Sequence, residues 1–316
     1  MNSTPVAELR WQPPAPLDLA RTLRPLRHGA GDPVARFVDA TFWWACRTPD
    51  GPGTLALTPD GGQVLARAWG DGAHWLLAAV PGLLGAGDDW SELDVSGHPV
   101  LRQVHRERPG VRLARTGRVL DSLVPACLEQ RVTGQEAFRA WRLLTWAYGE
   151  PAPGPAEPRL WLPAEPARLL AVPSWDWHRF GVDSKRYQAV RAAATVANRL
   201  EECVGLAAGQ GLTPSEGMAA ARRRLAVVPG VGPWTVAETS LRALGDPDAV
   251  SVGDFHLSNV VGYVLTGAAR TDDATMLELL EPWAGQRARV IRLIELSGLM
   301  PPKYGPRFSP KDMSRI

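Results

Sequence analysis

The chain has 316 residues, 45% of them hydrophobic and 22% charged, which is the composition of a folded protein with room for two domains and a sizeable core. Its formal net charge is +2, so charge permits a nucleic-acid partner without arguing for one. Three scattered cysteines, Cys46, Cys127 and Cys203, exclude a four-cysteine iron–sulfur cluster and fit a reduced cytoplasmic interior.

Positive charge is carried almost wholly by arginine, since lysine occurs only at Lys185, Lys303 and Lys311. The plentiful Ala, Gly, Pro and Arg fit a genome rich in G and C. The N-terminus lacks the basic-then-apolar pattern of a secretion signal. The longest apolar run, "HWLLAAVPGLLGA", is broken by Pro81 and too short to span a bilayer.

In chain order, the first hundred residues read as mixed α/β. "TFWWACRT" is rich in strand-favouring residues, and Pro59-Asp60-Gly61-Gly62 predicts a turn inside a hairpin over 54–69. A helix is expected over 71–85. From about residue 120 the pattern turns helical, with apolar residues at 138, 141, 144/145 and 148 on one face. "GEPAPGPAEP" at 149–158 reads as an irregular loop. "DSKRYQAVRAAATVANRLEECV" predicts one long helix, and "PSEGMAAARRRLAVV" another, with Ser215 as its N-cap. A helix from Pro233 to about Ala243 and one over 285–297 complete the set.

Between the helices stands "VPGVGPWT", residues 228–235. Helix, Pro-Gly-Val-Gly, helix is a tight hairpin in which Gly230 and Gly232 can take positive φ. The amides that open the second helix, from Gly232 to Thr235, have no intrahelical partners, and a helix start of this kind grips a phosphate without reading sequence. Pro233 suits the first turn. A P-loop lysine is missing, and a preceding helix argues against a dinucleotide fold. A simple glycine-capped turn explains the same four residues equally well.

Asp254, in "SVGDFHL" twenty residues on, changes that balance. Together, "VVPGVGPWTVAE" and "SVGDFHL" resemble the helix-hairpin-helix DNA glycosylases, whose hairpin precedes a catalytic aspartate in a D-x-H or D-D-Y context. "WQPPAPLDLARTL", "ERPGVRLARTGRVLDSLVPACLEQRVT" and "LEPWAGQRARVIRLIELSG" resemble segments of the AlkA-type 3-methyladenine DNA glycosylase II group, so the likeness covers nearly the whole chain in order. It implies an α+β fold: a small TATA-binding-protein-like α/β domain over 1–105, a two-lobed helical domain over 106–300, and a tail over 301–316.

The resemblance also implies roles. Asp254 would be catalytic, because cleaving an N-glycosidic bond passes through an oxocarbenium-like state that a carboxylate stabilises. Gly230, Val231, Gly232, Trp234 and Thr235 would form the phosphate-binding hairpin. Trp234, Glu238, Gln130 and Trp283 would border the base pocket, and Arg131, beside Gln130, would be the wedge entering the duplex. His256 reads as structural.

In strand-cutting relatives a lysine occupies the place of Trp234, so a monofunctional enzyme is implied. Two departures stand out: Glu238 replaces a tyrosine, and Gln286 a pocket tryptophan. Glu238 also precedes Arg242 by four, which on a helix is a favourable ion pair, so two roles remain open for it.

The expected partner is double-stranded DNA with damaged bases, the expected state a monomer in the cytoplasm at the nucleoid. No cofactor is implied beyond a Na⁺ or K⁺ on hairpin carbonyls. A non-catalytic hairpin clamp, and a glycosylase for oxidised or deaminated bases, are the competing readings.

Overall fold

The computed structural model describes residues 4–302. The chain opens with β1 (Ala7–Trp11) and the short α1 (Leu19–Leu23), then β2 (Ala35–Val38), β3 (Thr41–Thr48), β4 (Gly51–Asp60), β5 (Gln63–Trp69) and α2 (Ala73–Leu83). The strands form one antiparallel sheet in the order β1-β5-β4-β3-β2.

Alternation places one face inward. Phe42, Trp44 and Cys46 of β3, Leu55 and Leu57 of β4, and Ala66 and Ala68 of β5 enter a common core, where Leu76, Val80 and Leu83 of α2 meet them. The β4–β5 turn is tighter than the sequence predicts. Pro59 and Asp60 pair with Val64 and Gln63, so only Gly61 and Gly62 turn, both at positive φ (58° and 89°), as a two-residue hairpin loop requires.

The remainder is mostly helical. It comprises α3 (Pro99–Glu107), α4 (Val119–Leu128), α5 (Gly134–Tyr148), the two-residue pair β6 (Glu150–Pro151) and β7 (Trp161–Leu162), α6 (Pro166–Ala171), α7 (Ser174–Arg179), α8 (Ser184–Thr195), α9 (Ala197–Glu201), α10 (Cys203–Ala207), α11 (Pro214–Ala226), α12 (Pro233–Leu244), α13 (Leu257–Thr266), α14 (Asp273–Leu280) and α15 (Arg287–Ser297).

The expected long helix over 183–204 is three helices instead. Val196 leaves helical geometry (φ −113°, ψ 20°), ending α8 at Thr195, and α9 in turn ends at Glu201. Thr213, not Ser215, caps α11, in a capping box with Glu216. Pro214 takes the first helical position and holds the residue before it extended, as an N-cap must be.

Two cores result. The first runs from the sheet through α4, α5, α8 and α11 to α12. The second joins Trp90, Leu93, Val95 and α3 to α13, α14 and α15. The residue-105 boundary falls within α3, which packs on α15. A third, small cluster of Leu113, Ala237, Ala249 and Ala288 bridges α12 to α15. None of the described helices is long and apolar enough to cross a membrane.

Asp121 on α4 places an acid in the first core. The residue keeps some solvent contact, but its Oδ2 is buried with no hydrogen-bond partner. Burial pushes its carboxyl from an ordinary 3.8 up to about 6, against the pull of Arg118. A raised acid favours the fold while protonated. That contribution is complete below the ordinary value and is lost as pH rises through about 6, with an upper limit of about 3 kcal/mol. Asp121→Asn is therefore expected to gain in melting temperature relative to the native chain, by several degrees, between about pH 5 and about pH 8. A constant difference in melting scans across that range would remove this account.

Candidate active site

The turn before α12 is anchored by apolar burial. Val228 and Val231 point into the first core, and the Val231 amide donates to the Val228 carbonyl at 3.0 Å. Gly230 sits at φ +83°, and a Cβ there would lie 2.8 Å from the Ala189 Cβ of α8. Both the left-handed backbone and the close approach of α8 thus require glycine.

Gly232 differs from expectation. It is extended (φ −93°, ψ 179°) as the N-cap of α12, so only one of the two glycines needs positive φ. A Cβ on Gly232 would meet nothing within 4 Å, which leaves the helix start open on that side. Pro233 occupies the first helical position. The amides of Trp234 and Thr235 lie in the first turn, where helix geometry supplies no acceptor.

Gln130 is fastened to this hairpin. Its Nε2 donates to the Gly230 carbonyl and to the Thr235 hydroxyl, each at 2.9 Å. Thr235 is buried. The amide assigned to the base pocket thus spends its donors on the turn. Arg131, next in the chain, is exposed and left-handed at φ +54°, an uncommon conformation for a residue with a side chain. It stands at the outward tip of the α4–α5 turn.

The structure brings the acid to the hairpin. The Trp234 Nε1 donates to Asp254 Oδ2 at 3.1 Å. The other oxygen, Oδ1, accepts from the amides of His256 and Leu257 at 2.8 and 2.9 Å, capping the approach to α13. The Asp254 amide donates to the Ser251 carbonyl at 3.1 Å. Asp254 lies on the segment that leaves α12 in the first lobe and reaches α13 in the second.

Glu238, one turn after Trp234, faces that same segment. One oxygen pairs with Arg242 Nη1 at 2.5 Å and the other accepts from the Ser251 hydroxyl. Both oxygens therefore have partners, one of them the Arg242 that helical spacing offered. Burial opposes the Arg242 charge, yet Glu238 and Glu129 hold its pKa above the usual arginine value.

Trp283 is placed elsewhere. Its Nε1 donates to the Asp94 carbonyl at 2.6 Å and it packs on the second core. Gln286 donates to the Glu92 carbonyl at 3.0 Å. Both are tied to the 92–94 loop rather than directed at Asp254.

Sequence reasoning missed Ser251 and Phe255. Phe255 is 73% exposed, its ring edge-on to His256 with centroids 4.8 Å apart. Its only sequence signal is a large apolar residue beside the acid. Of the two tryptophans in "PSWDWHRF", Trp177 is fully buried against Tyr187, while Trp175 is 72% exposed.

Thiol chemistry finds no support. All three cysteines are buried, and burial pushes Cys127 up to about 12 and Cys203 up to about 11, so neither is a thiolate at neutral pH. Among the described residues, no group of three or more His, Cys, Asp or Glu side chains is placed to hold a metal.

No family model matches the chain. A curated relative from Mycobacterium tuberculosis, "Probable bifunctional transcriptional activator/DNA repair enzyme AlkA", is 28% identical over 224 residues, covering 69% of this chain. The match spans 43% of that relative's length. The solved 3-methyladenine DNA glycosylase from Archaeoglobus fulgidus superposes with a TM-score of 0.75 at 14% identity, covering 93% of this chain and 99% of its own. The 8-oxoguanine glycosylase/lyase of Clostridium acetobutylicum, in complex with double-stranded DNA, gives 0.65 at 11% identity, covering 89% and 91%. With its hairpin and aspartate in contact, the chain has the fold of the helix-hairpin-helix DNA glycosylases.

Proposed function

We propose that this protein is a monofunctional DNA glycosylase that removes alkylated, 3-methyladenine-like bases from double-stranded DNA, the first step of base excision repair. The observation that carries the reading is the Trp234–Asp254 hydrogen bond. A pure phosphate clamp has no use for a carboxylate held against its hairpin. The names of the Mycobacterium and Archaeoglobus relatives support the alkylated-base class.

In this reading the open start of α12 takes one DNA phosphate on its backbone amides. The damaged nucleotide turns out of the stack, at a cost of a few kcal/mol, and Arg131 at its exposed tip occupies the gap. Asp254 stabilises positive charge at C1′ as the base leaves, and orients the attacking water. Trp234 presents its ring beside the acid, where a cationic methylated purine stacks more strongly than its neutral parent, by about 0.5–2 kcal/mol.

A Na⁺ or K⁺ would assist phosphate binding through the carbonyls of Val228, Gly230 and Gly232. Each accepts one hydrogen bond within the chain and keeps a second lone pair. The division into a TATA-binding-protein-like domain over 1–105, a glycosylase domain over 106–300 and a tail belongs to the same proposal; of the tail, residues 303–316 lie outside the described residues. So does a monomer working at the nucleoid.

Asp254→Asn is expected to bind DNA as the native protein does while excision falls at least about a hundredfold; a fully active variant, measured by base release from methylated DNA, would sink the proposal. Gly232→Ala has space to fold and is expected to weaken binding to all DNA sequences alike, several-fold, because a methyl group would stand at the phosphate site. A changed sequence preference at unchanged affinity contradicts that.

The lyase alternative has its own test. Lys185 opens α8, while Lys303 and Lys311 lie outside the described residues. Borohydride is expected to trap no protein–DNA adduct, and an adduct mapped to any of these lysines would overturn the monofunctional reading.

A further inference from the structure

The segment that carries Asp254 is short of regular structure and contains Gly253 at φ +88°, so its position depends on its attachments. One is the Gly253 amide, which donates to Asp273 Oδ2 at 2.8 Å. Two others reach α12, four residues apart on one face: Trp234 holds the Asp254 carboxylate, and Glu238 holds the Ser251 hydroxyl. From Ser251 the path to the acid is one hydrogen bond long, because the Ser251 carbonyl accepts the Asp254 amide.

Glu238 is itself braced. Arg242 Nη1 donates to its carboxylate and its carbonyl, and Arg242 Nε donates at 3.1 Å to the Pro25 carbonyl in the N-terminal part of the chain. The strut therefore runs from Pro25 through Arg242, Glu238 and Ser251 to Asp254.

We propose that Glu238 and Ser251 are positioning residues for Asp254, setting the acid's distance from the hairpin and hence from C1′. This rests on the glycosylase reading above. A base-pocket role calls for nothing at Ser251, yet one Glu238 oxygen takes its hydroxyl while the other takes Arg242. A plain helix ion pair would require nothing beyond Arg242, yet Ser251 lies off the helix and on the catalytic segment.

A positioning role predicts that the chemical step slows equally for every base, because the acid and not the pocket is displaced. Single-turnover excision of 3-methyladenine and of hypoxanthine from otherwise identical duplexes separates the cases, with affinity for abasic-site DNA and thermal midpoints measured alongside. Ser251→Ala is expected to slow release of both bases about tenfold to a hundredfold, the scale of a displacement approaching 1 Å, with DNA affinity within about twofold of native. Ser251→Thr restores the hydroxyl and is expected to recover most of the rate.

Should Ser251→Ala fail to fold, the pair Glu238→Gln and Glu238→Ala carries the test. The glutamine keeps an oxygen for Ser251 and retains most activity; the alanine loses it for both bases. The positioning role is overturned by native rates in Ser251→Ala. Slowing confined to the cationic base also overturns it, since that marks a pocket group. So does a rate loss tracked by equal losses of affinity and thermal midpoint, which marks a general brace. If the native protein binds DNA but releases neither base, the glycosylase reading itself fails and takes this role with it.

Discussion

The indole N–H of Trp234 on the carboxylate of Asp254 joins the two halves of the site, and it forms only because two separate cores fix its ends. On the hairpin side, buried Val228 and Val231 set the register of the turn and Ala189 presses under Gly230, so the first turn of α12 has one orientation. On the acid side, the chain leaving α12 is fixed at once by Asp246. This residue is fully buried, and it accepts from Arg222 Nε at 2.6 Å and Ser240 at 2.9 Å. A buried acid so paired is costly to misplace, because removing either partner strands a charge. Asp248 then accepts from the Gly285 and Arg287 amides and pairs with the Arg287 guanidinium, tying the segment to the start of α15. The alanines at 237, 249 and 288 let α12 and α15 approach across this junction. Packing thus brings hairpin and acid together, and the hydrogen bonds of the 251–254 segment act within that frame.

The parts of this arrangement that were legible in the sequence are those where local chemistry restricts the backbone. Pro-Gly-Val-Gly-Pro between two helical patterns marks a turn, with Pro229 and Pro233 setting the α11 to α12 boundary. What sequence could not show is how two segments meet. Gly232 carries the same letter as Gly230, yet Gly230 sits at positive φ against α8 while Gly232 is extended with open space beside it. The helix over 183–204 has an unbroken apolar period, yet it is interrupted at Val196 and again after Glu201, and periodicity does not register either interruption. Glu238 illustrates the same limit. Spacing made Arg242 a candidate partner, but Ser251 lies thirteen residues away across a turn and no helical or strand period links them.

Arginine as the near-sole cation shapes the rest of the electrostatics. A guanidinium offers five donors in a fixed plane and cannot be neutralised, so one side chain can serve several acceptors at once. Arg186 uses this to tie Asp183 and the carbonyls of Leu128 and Gly181 together beneath α8, and Arg242 does likewise for Glu238 and Pro25. Arg186 thereby holds the end of α4 just before the α4–α5 turn, and Arg242 braces the last turn of α12. The same shortage of lysine leaves few amines for imine chemistry.

In the proposed function Asp254 meets two demands on one acid, capping the approach to a helix and stabilising a developing charge. Its two oxygens divide the work. Oδ1 receives the amides of His256 and Leu257, a capping arrangement that fixes the carboxylate's rotation. Oδ2 is thereby turned toward the hairpin, where its one protein donor is an indole N–H. A freely rotating carboxylate would have to be ordered at each turnover, losing the advantage of a preorganised group. Here the start of α13 supplies that order, and its dipole favours the negative charge that the proposed cleavage would use. Capping thus aims the acid, and in the proposed glycosylase the structural and chemical roles would fall to different atoms of one side chain.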